Sequence, residues 1–122
     1  MELFVAAGAV LGFLAVALGA FGAHTLKERL ADAGQQPAFD TAVRYQLAHA
    51  VVLLVLPQVL AAEGGTSNLA GWLLLCGTVV FSGALYIRAI ADRRQWGMVA
   101  PVGGLALLAG WALLLVAAVT AR

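Results

Sequence analysis

Charge is scarce in this chain: Asp, Glu, Lys and Arg make up 11% of its 122 residues, where soluble domains carry about 25%. A soluble exterior cannot be assembled from so few charges, and no basic stripe exists for nucleic acid; the formal net charge is +1. Cysteine is nearly absent too. Cys76, the one present, has no partner for an internal disulfide, and neither it nor the two histidines fits a zinc-ligand spacing. No metal and no cofactor is therefore expected, and Cys76 reads as a small packing residue. A cleavable signal peptide is not indicated: the chain opens Met1-Glu2 with no basic segment, and the apolar run that follows exceeds a signal core.

Hydrophobic residues are what the chain has in abundance, at 63% against about 45–50% in globular proteins. They gather into four stretches, approximately Leu3–Ala23, Thr41–Ala62, Leu69–Ala91 and Met98–Ala121, each about as long as a helix that crosses a bilayer. In hydrocarbon every backbone N–H and C=O needs an internal partner, so continuous apolar runs of this length are helices. A β-barrel would show alternating segments of about ten residues instead. The expected fold is all-α: residues 1–122 form a single integral membrane domain, a bundle of four transmembrane helices.

The first stretch carries Gly8, Gly12, Ala15, Gly19 and Gly22 at steps of four, three, four and three, hence on one face. Gly8 to Gly12 is a GxxxG match, which allows a neighbouring backbone to approach closely. The same strip could dock a second copy of the chain, but three other helices are at hand, so packing inside the bundle takes precedence. The fourth stretch repeats the device with Gly103, Ala106, Gly110 and Ala117, which predicts that the first and fourth spans form the most intimate pair.

The first connection, His24 to Asp40, has features of its own. Thr25-Leu26-Lys27-Glu28 has the form of a capping box, Leu26, Leu30 and Ala33 share a face, and Gly34 supplies a stop. A short amphipathic helix over residues 25–33, lying among the lipid headgroups, is expected. Pro37 suits the first turn of the next helix. Glu63 to Asn68 reads as a polar turn, and Asp92 to Gln95 is a short link with Trp96 as an interfacial anchor.

Up-and-down topology puts the first and third connections on one side of the membrane and gathers the polar residues in that leaflet: His24, Asp40, Arg44, Tyr45, Gln46, His49, Ser82, Tyr86 and Arg88. Arg44, one turn into its helix, can snorkel to the headgroups or pair with Asp40 at i,i+4 spacing. His49 lies about 12 Å along its helix from Thr41, too deep to reach headgroups. Ionisable groups at such depth point to function. Equally, His49 can act as interhelical glue, bonded to Tyr86 or a backbone carbonyl. Haem ligation by His24 and His49 has no supporting motif, and a Ser82–His49 pair lacks the acid a triad requires.

Several of these residues stand in an order and spacing that resemble the YgdD-like family of small bacterial inner-membrane proteins, which has eukaryotic relatives. They are Leu18-Gly19-Ala20-Phe21-Gly22-Ala23-His24, then Tyr45-Gln46 with His49, Phe81-Ser82-Gly83-Ala84-Leu85-Tyr86, Pro101-Val102-Gly103-Gly104 and Ala109-Gly110-Trp111. The resemblance covers nearly the whole chain. It implies a four-helix protein of the inner (plasma) membrane and brings no catalytic residues with it. This chain departs from the family at Met1-Glu2 and Glu63, where basic residues are common.

Two functional readings follow. In the first, His24, Arg44, Tyr45, Gln46, His49, Ser82 and Tyr86 surround a pocket in one leaflet that binds a small polar solute, a proton or a lipid headgroup. In the second, the cluster is structural and the chain is a non-catalytic interaction or assembly factor. Its partners would be membrane lipid, a further copy of itself or another membrane protein. An enzyme is the third choice. Lys27, Arg29, Arg44, Arg88, Arg93 and Arg94 lie on the side of the first and third connections, against Arg122 opposite. The positive-inside rule then places both termini outside the cytoplasm. A cysteine introduced at residue 64 is expected to label from outside intact cells and one at residue 95 is not; the reverse pattern would invert the topology.

Overall fold

A computed structural model describes residues 2–62 and 68–120. Met1, Arg122, the expected end of the fourth span at Ala121 and most of the expected second turn, Glu63 to Ser67, lie outside the described residues. Five α-helices follow one another: α1 (Glu2–Ala23), α2 (Lys27–Asp32), α3 (Gln36–Ala62), α4 (Leu69–Ile90) and α5 (Ala100–Thr120). A 3₁₀ helix at Arg94–Met98 leads into α5. No strand occurs among the described residues, and α1, α3, α4 and α5 are each long and apolar enough to span a bilayer.

Sequence neighbours pack against one another, as short connections favour: α1 lies on α3, α3 on α4, and α4 on α5. The expected pairing of the first and fourth spans does not occur, for α1 and α5 form no packed interface. A strip of small residues fits whichever backbone comes closest, and the hairpin partner is closest. A Cβ added to Gly8 would sit 2.8 Å from the Ala50 carbonyl oxygen, and one on Gly22 would strike the Phe39 ring, both on α3. On the other flank a Cβ at Gly110 would come within 2.8 Å of Leu74 Cγ on α4. At Gly12 and Gly19 the fit is looser, with α3 atoms at 3.7 and 3.4 Å.

The central pair α3–α4 is therefore shielded from both sides while α1 and α5 face outward. The most apolar windows of α1 and α5 are each 17% buried, against 33% and 39% for α3 and α4. Leucines fill the half nearer the termini, where Leu53, Leu56, Leu60, Leu74 and Leu107 surround Phe4. Alanines predominate in the other half, where Ala42, Ala84 and Ala100 cluster with Leu85. Cys76 is not a packing residue: it lies exposed on the outer side of α4.

The first connection differs from its expected form at one end and matches it at the other. No capping box forms at Thr25; Leu26 precedes the first turn of α2, with no side-chain cap. The chain leaving α1 is still tightly wound there. The amide of Leu26 donates 2.8 Å back to Phe21 O, and that of His24 to Ala20 O at 3.1 Å, which commits residues 24–26 to ending α1. Gly34 does end α2, at φ +69°, with Gln35 N bonded to Leu30 O at 2.8 Å and Gly34 N to Ala31 O at 3.1 Å, a Schellman arrangement. Leu30 is buried against Phe39 and Ala89, so α2 is docked on the bundle. α3 starts at Gln36, earlier than Thr41, because Pro37 tolerates the first turn and Gln35 O accepts the Phe39 amide at 3.1 Å.

The glycine contacts yield a graded expectation. A Cβ at Gly103 would meet the Phe81 backbone nitrogen, and Gly77 O at 2.8 Å. Gly103→Ala should then cost on the order of 2 kcal/mol through overpacking. At Gly83 nothing lies within 4 Å, and Gly83→Ala should be neutral or gain up to about 1 kcal/mol in helix propensity. Unfolding of both variants in mixed detergent micelles checks this; similar effects at the two positions would contradict the α4–α5 packing.

Candidate functional site

Residues Ala42, Gln46, His49, Leu53, Leu56 and Leu60 are all buried, and their alternating steps of four and three trace the inward stripe of α3. Two of these six are polar and lie among apolar neighbours with no bulk water at hand, so each must find a partner within the protein.

Gln46 uses both ends of its amide. Its Nε2 donates to Leu11 O of α1 at 2.7 Å, and its Oε1 accepts from the Tyr86 hydroxyl of α4 at 2.6 Å. One side chain thus ties three helices. Nearby, the Ser82 hydroxyl donates to Ala42 O at 2.8 Å, joining α4 to α3 again. Thr78 turns its hydroxyl onto Leu74 O within α4, at 2.7 Å.

His49 makes the fourth tie. Trp111 of α5 offers its indole N–H to His49 Nε2 at 3.0 Å. An indole N–H only donates, so Nε2 must be the accepting nitrogen. The proton of the neutral ring then sits on Nδ1, which lies 2.8 Å from Tyr45 O and donates to it. Both ring nitrogens are satisfied in this one tautomer. The ring is further enclosed by Tyr45, stacked at 6.1 Å between centroids, and by Trp111, edge-on at 5.9 Å.

Of the residues singled out in sequence, Gln46, His49, Ser82 and Tyr86 come together in this network, and Tyr45 borders it with its ring against His49 and Phe81. His24 and Arg44 do not join it. Both are exposed, His24 in the turn after α1 and Arg44 on the outer side of α3. Of the two alternatives for Arg44, the pair with Asp40 does not form; Asp40 accepts from Gln36 Nε2 at 2.8 Å instead. Trp111, which sequence reasoning left out of the cluster, is its key addition. A signal was present: Trp111 lies about 16 Å along α5 from Ala100, far from the interfacial belt that tryptophan favours, so its N–H needed a buried acceptor.

The network separates two grooves on opposite sides of α3–α4. One, of about 270 Å³, lies toward α1 and is bordered by Leu14, Gln46, Ser82 and Tyr86. The other is larger, about 480 Å³, and lies between α3, α4 and α5, with Tyr45, His49, Phe81, Gly104, Leu108 and Trp111 on its walls. Its exposed walls, Tyr45, Leu108 and Trp111, place it on the outer surface of the bundle at the level of the membrane. It is almost wholly apolar, since His49 spends its two ring nitrogens on Trp111 and on Tyr45 O.

On the side of the first and third connections, side chains stitch the two links together. Arg29 donates to Ile90 O at 2.6 Å, Arg94 to Ala33 O at 3.2 Å, and Gln35 Nε2 to Asp92 Oδ1 at 3.2 Å. The two arginine bonds satisfy carbonyls left over at the C-terminal ends of α4 and α2. Asp92 itself ends α4 at φ 54°. Chemically, the buried network holds hydroxyls, an amide, an indole and an imidazole, with no carboxylate beside them. Among the described residues no three His, Cys, Asp or Glu side chains gather to hold a metal ion.

Comparison with known proteins gives a consistent result. Residues 18–104 match the family described as protein of unknown function (DUF423). The chain is 40% identical over 122 residues to the UPF0382 membrane protein YwdK of Bacillus subtilis, covering 98% of each chain. It is 43% identical over 114 residues to the UPF0382 inner membrane protein YgdD of Escherichia coli K12, covering 91% of this chain and 85% of that one. A UPF0382 membrane protein of Staphylococcus haemolyticus is 40% identical over 116 residues, with 95% and 94% covered. No solved structure matches the chain.

The His49 tautomer is directly measurable. Nitrogen-15 spectra of histidine-labelled protein in micelles should show Nδ1 protonated and Nε2 bare. Trp111→Phe should weaken folding by roughly 1 kcal/mol and perturb the Nε2 signal selectively. A protonated Nε2 in the native protein would contradict the Trp111 bond.

Proposed function

This chain belongs to the DUF423 family of UPF0382 membrane proteins, and from that premise we propose that it is a non-catalytic binding protein of the inner (plasma) membrane whose ligand is a membrane lipid. The observation that carries the reading is the groove between α3, α4 and α5. Its volume of about 480 Å³ falls in the usual range of ligand sites, about 300–1,000 Å³. Its walls are aromatic and aliphatic, and it opens at the depth of the acyl chains. An apolar chain is the matching occupant.

A polar solute has less support. Gln46, His49, Ser82 and Tyr86 spend their hydrogen-bonding groups on one another, on Trp111 and on backbone carbonyls, and few polar atoms remain to receive it. The same satisfied network favours a second reading, an interaction or assembly factor whose cluster is glue and whose outward faces meet a protein partner. Copurification of one defined membrane protein, with no lipid retained, would favour that reading.

The groove can be filled without disturbing the packing. A Cβ at Gly104 would only touch the Phe81 ring, at 3.8 and 3.9 Å, so Gly104→Leu should fold normally and occupy the groove. Native mass spectrometry of protein purified in mild detergent should show lipid retained by the unaltered chain and at least about fivefold less by Gly104→Leu, a loss near 1 kcal/mol of apolar contact. Equal retention in the two would remove the groove as a lipid site.

A further inference from the structure

Arg88, in the last turn of α4, differs from the other basic residues on its face of the membrane. Arg29 and Arg94 each donate to a helix-end carbonyl, and Arg44 is exposed. Arg88 is half-buried, and its Nε is the one buried side-chain donor without an acceptor among the described residues. Shielding part of a guanidinium from water without a partner is costly. Nor is the side chain slack. A Cβ built on Gly97 would lie 3.1 Å from both Arg88 Cδ and Arg88 Nη1, so the 3₁₀ helix walls it in. Among the described residues no carboxylate pairs with it; Asp40 accepts from the Gln36 amide and Asp92 from the Gln35 amide.

Arg88 lines a cavity of about 400 Å³ near the membrane surface, with Gly34, Pro37, Thr41 and Phe81 among its other walls. Phe81 also lines the deeper apolar groove. The two spaces therefore succeed one another along one face of the bundle, a cationic end at the headgroup level and an apolar end below it. The surrounding surface carries six cations (Lys27, Arg29, Arg44, Arg88, Arg93 and Arg94) against four carboxylates (Glu28, Asp32, Asp40 and Asp92), which enriches anions there.

We propose that Arg88, with the Thr41 hydroxyl, is a binding site for a phosphate group, the head of an anionic amphiphile whose chain lies in the α3–α4–α5 groove. A guanidinium presents a planar fork of donors that matches two phosphate oxygens at once. A phosphate in the cavity would supply a counter-charge to the guanidinium that lines it. The proposal rests on the groove reading for the chain but not for the phosphate.

The test uses the full chain in detergent and native mass spectrometry with two lipids of identical acyl chains, phosphatidylglycerol and the phosphate-free diacylglycerol. Phosphatidylglycerol should bind about tenfold more tightly, as expected of a charge-assisted contact. Arg88→Gln should erase that preference, Arg88→Lys should keep part of it, and Arg44→Gln should leave it intact. Displacement of phosphatidylglycerol by inorganic phosphate would mark a site that also takes the free ion; failure to displace would mark the lipid as its source. Equal binding of the two lipids, or equal losses from Arg44→Gln and Arg88→Gln, would overturn the site. Should Arg88→Gln not remain monodisperse, Gly97→Val crowds the guanidinium while keeping its charge, and an undiminished preference there would be equally fatal. Gly104→Leu separates the two ideas. If it leaves both lipids bound as before while Arg88→Gln still erases the preference, the groove reading fails and the phosphate site stands.

Discussion

The bundle depends on the absence of water at its centre. Each polar group that the chain carries into the bilayer must be answered by another group of the same chain, and α3 carries the two that reach furthest. Gln46 bonds to α1 and α4, and His49 to α5. Two residues one turn apart thus hold all four spans together. Single interhelical bonds of this kind are worth only about 0.6 kcal/mol on average, so their larger effect is on register: a helix that slid or turned would strand a donor in hydrocarbon.

Close packing makes those bonds possible. Side chains as short as serine bridge two helices only where the backbones nearly touch, and Ser82 reaches Ala42 O because alanines line that part of the α3–α4 seam. The glycines of α1 and α5 bring the flanking helices near as well, most tightly at Gly8, Gly22, Gly103 and Gly110. Small residues and polar residues therefore form one device, the first setting the distance and the second the alignment. With the polar atoms turned inward and satisfied, the spaces left between helices are apolar, and a lipid chain suits them better than a hydrated solute does. Unpaired charge is left at the rim, where α2, the 3₁₀ helix and the ends of α3 and α4 meet.

The sequence was most legible where a signal is local or cumulative. Four apolar runs sufficed for the spans, and Gly34 for the end of α2, because a left-handed turn selects glycine at that position. Thr25 misled because a capping box is a conditional motif: it forms only if the chain is free to start a helix there, and residues 24–26 were still closing α1. Asp40 and Arg44 misled likewise, since helical spacing permits an ion pair without requiring it, and Gln36 was a competing partner one turn earlier. Trp111 carried a signal in its depth along α5, but its acceptor, His49 Nε2, is identified only by the packing of α5 on the bundle.

Composition and periodicity by themselves determined that this is a helical membrane protein, how many spans it has and which leaflet gathers its polar residues. Those properties follow from the length of apolar runs and from strict alternation across the bilayer. Which helices touch was decided only in three dimensions, because a strip of glycines specifies close approach without naming its partner. The same holds for the tautomer of His49, set by the indole of Trp111, and for Arg88, whose Nε is buried without an acceptor. Pairings across helices are choices among alternatives of nearly equal local energy, and only the assembled bundle selects one.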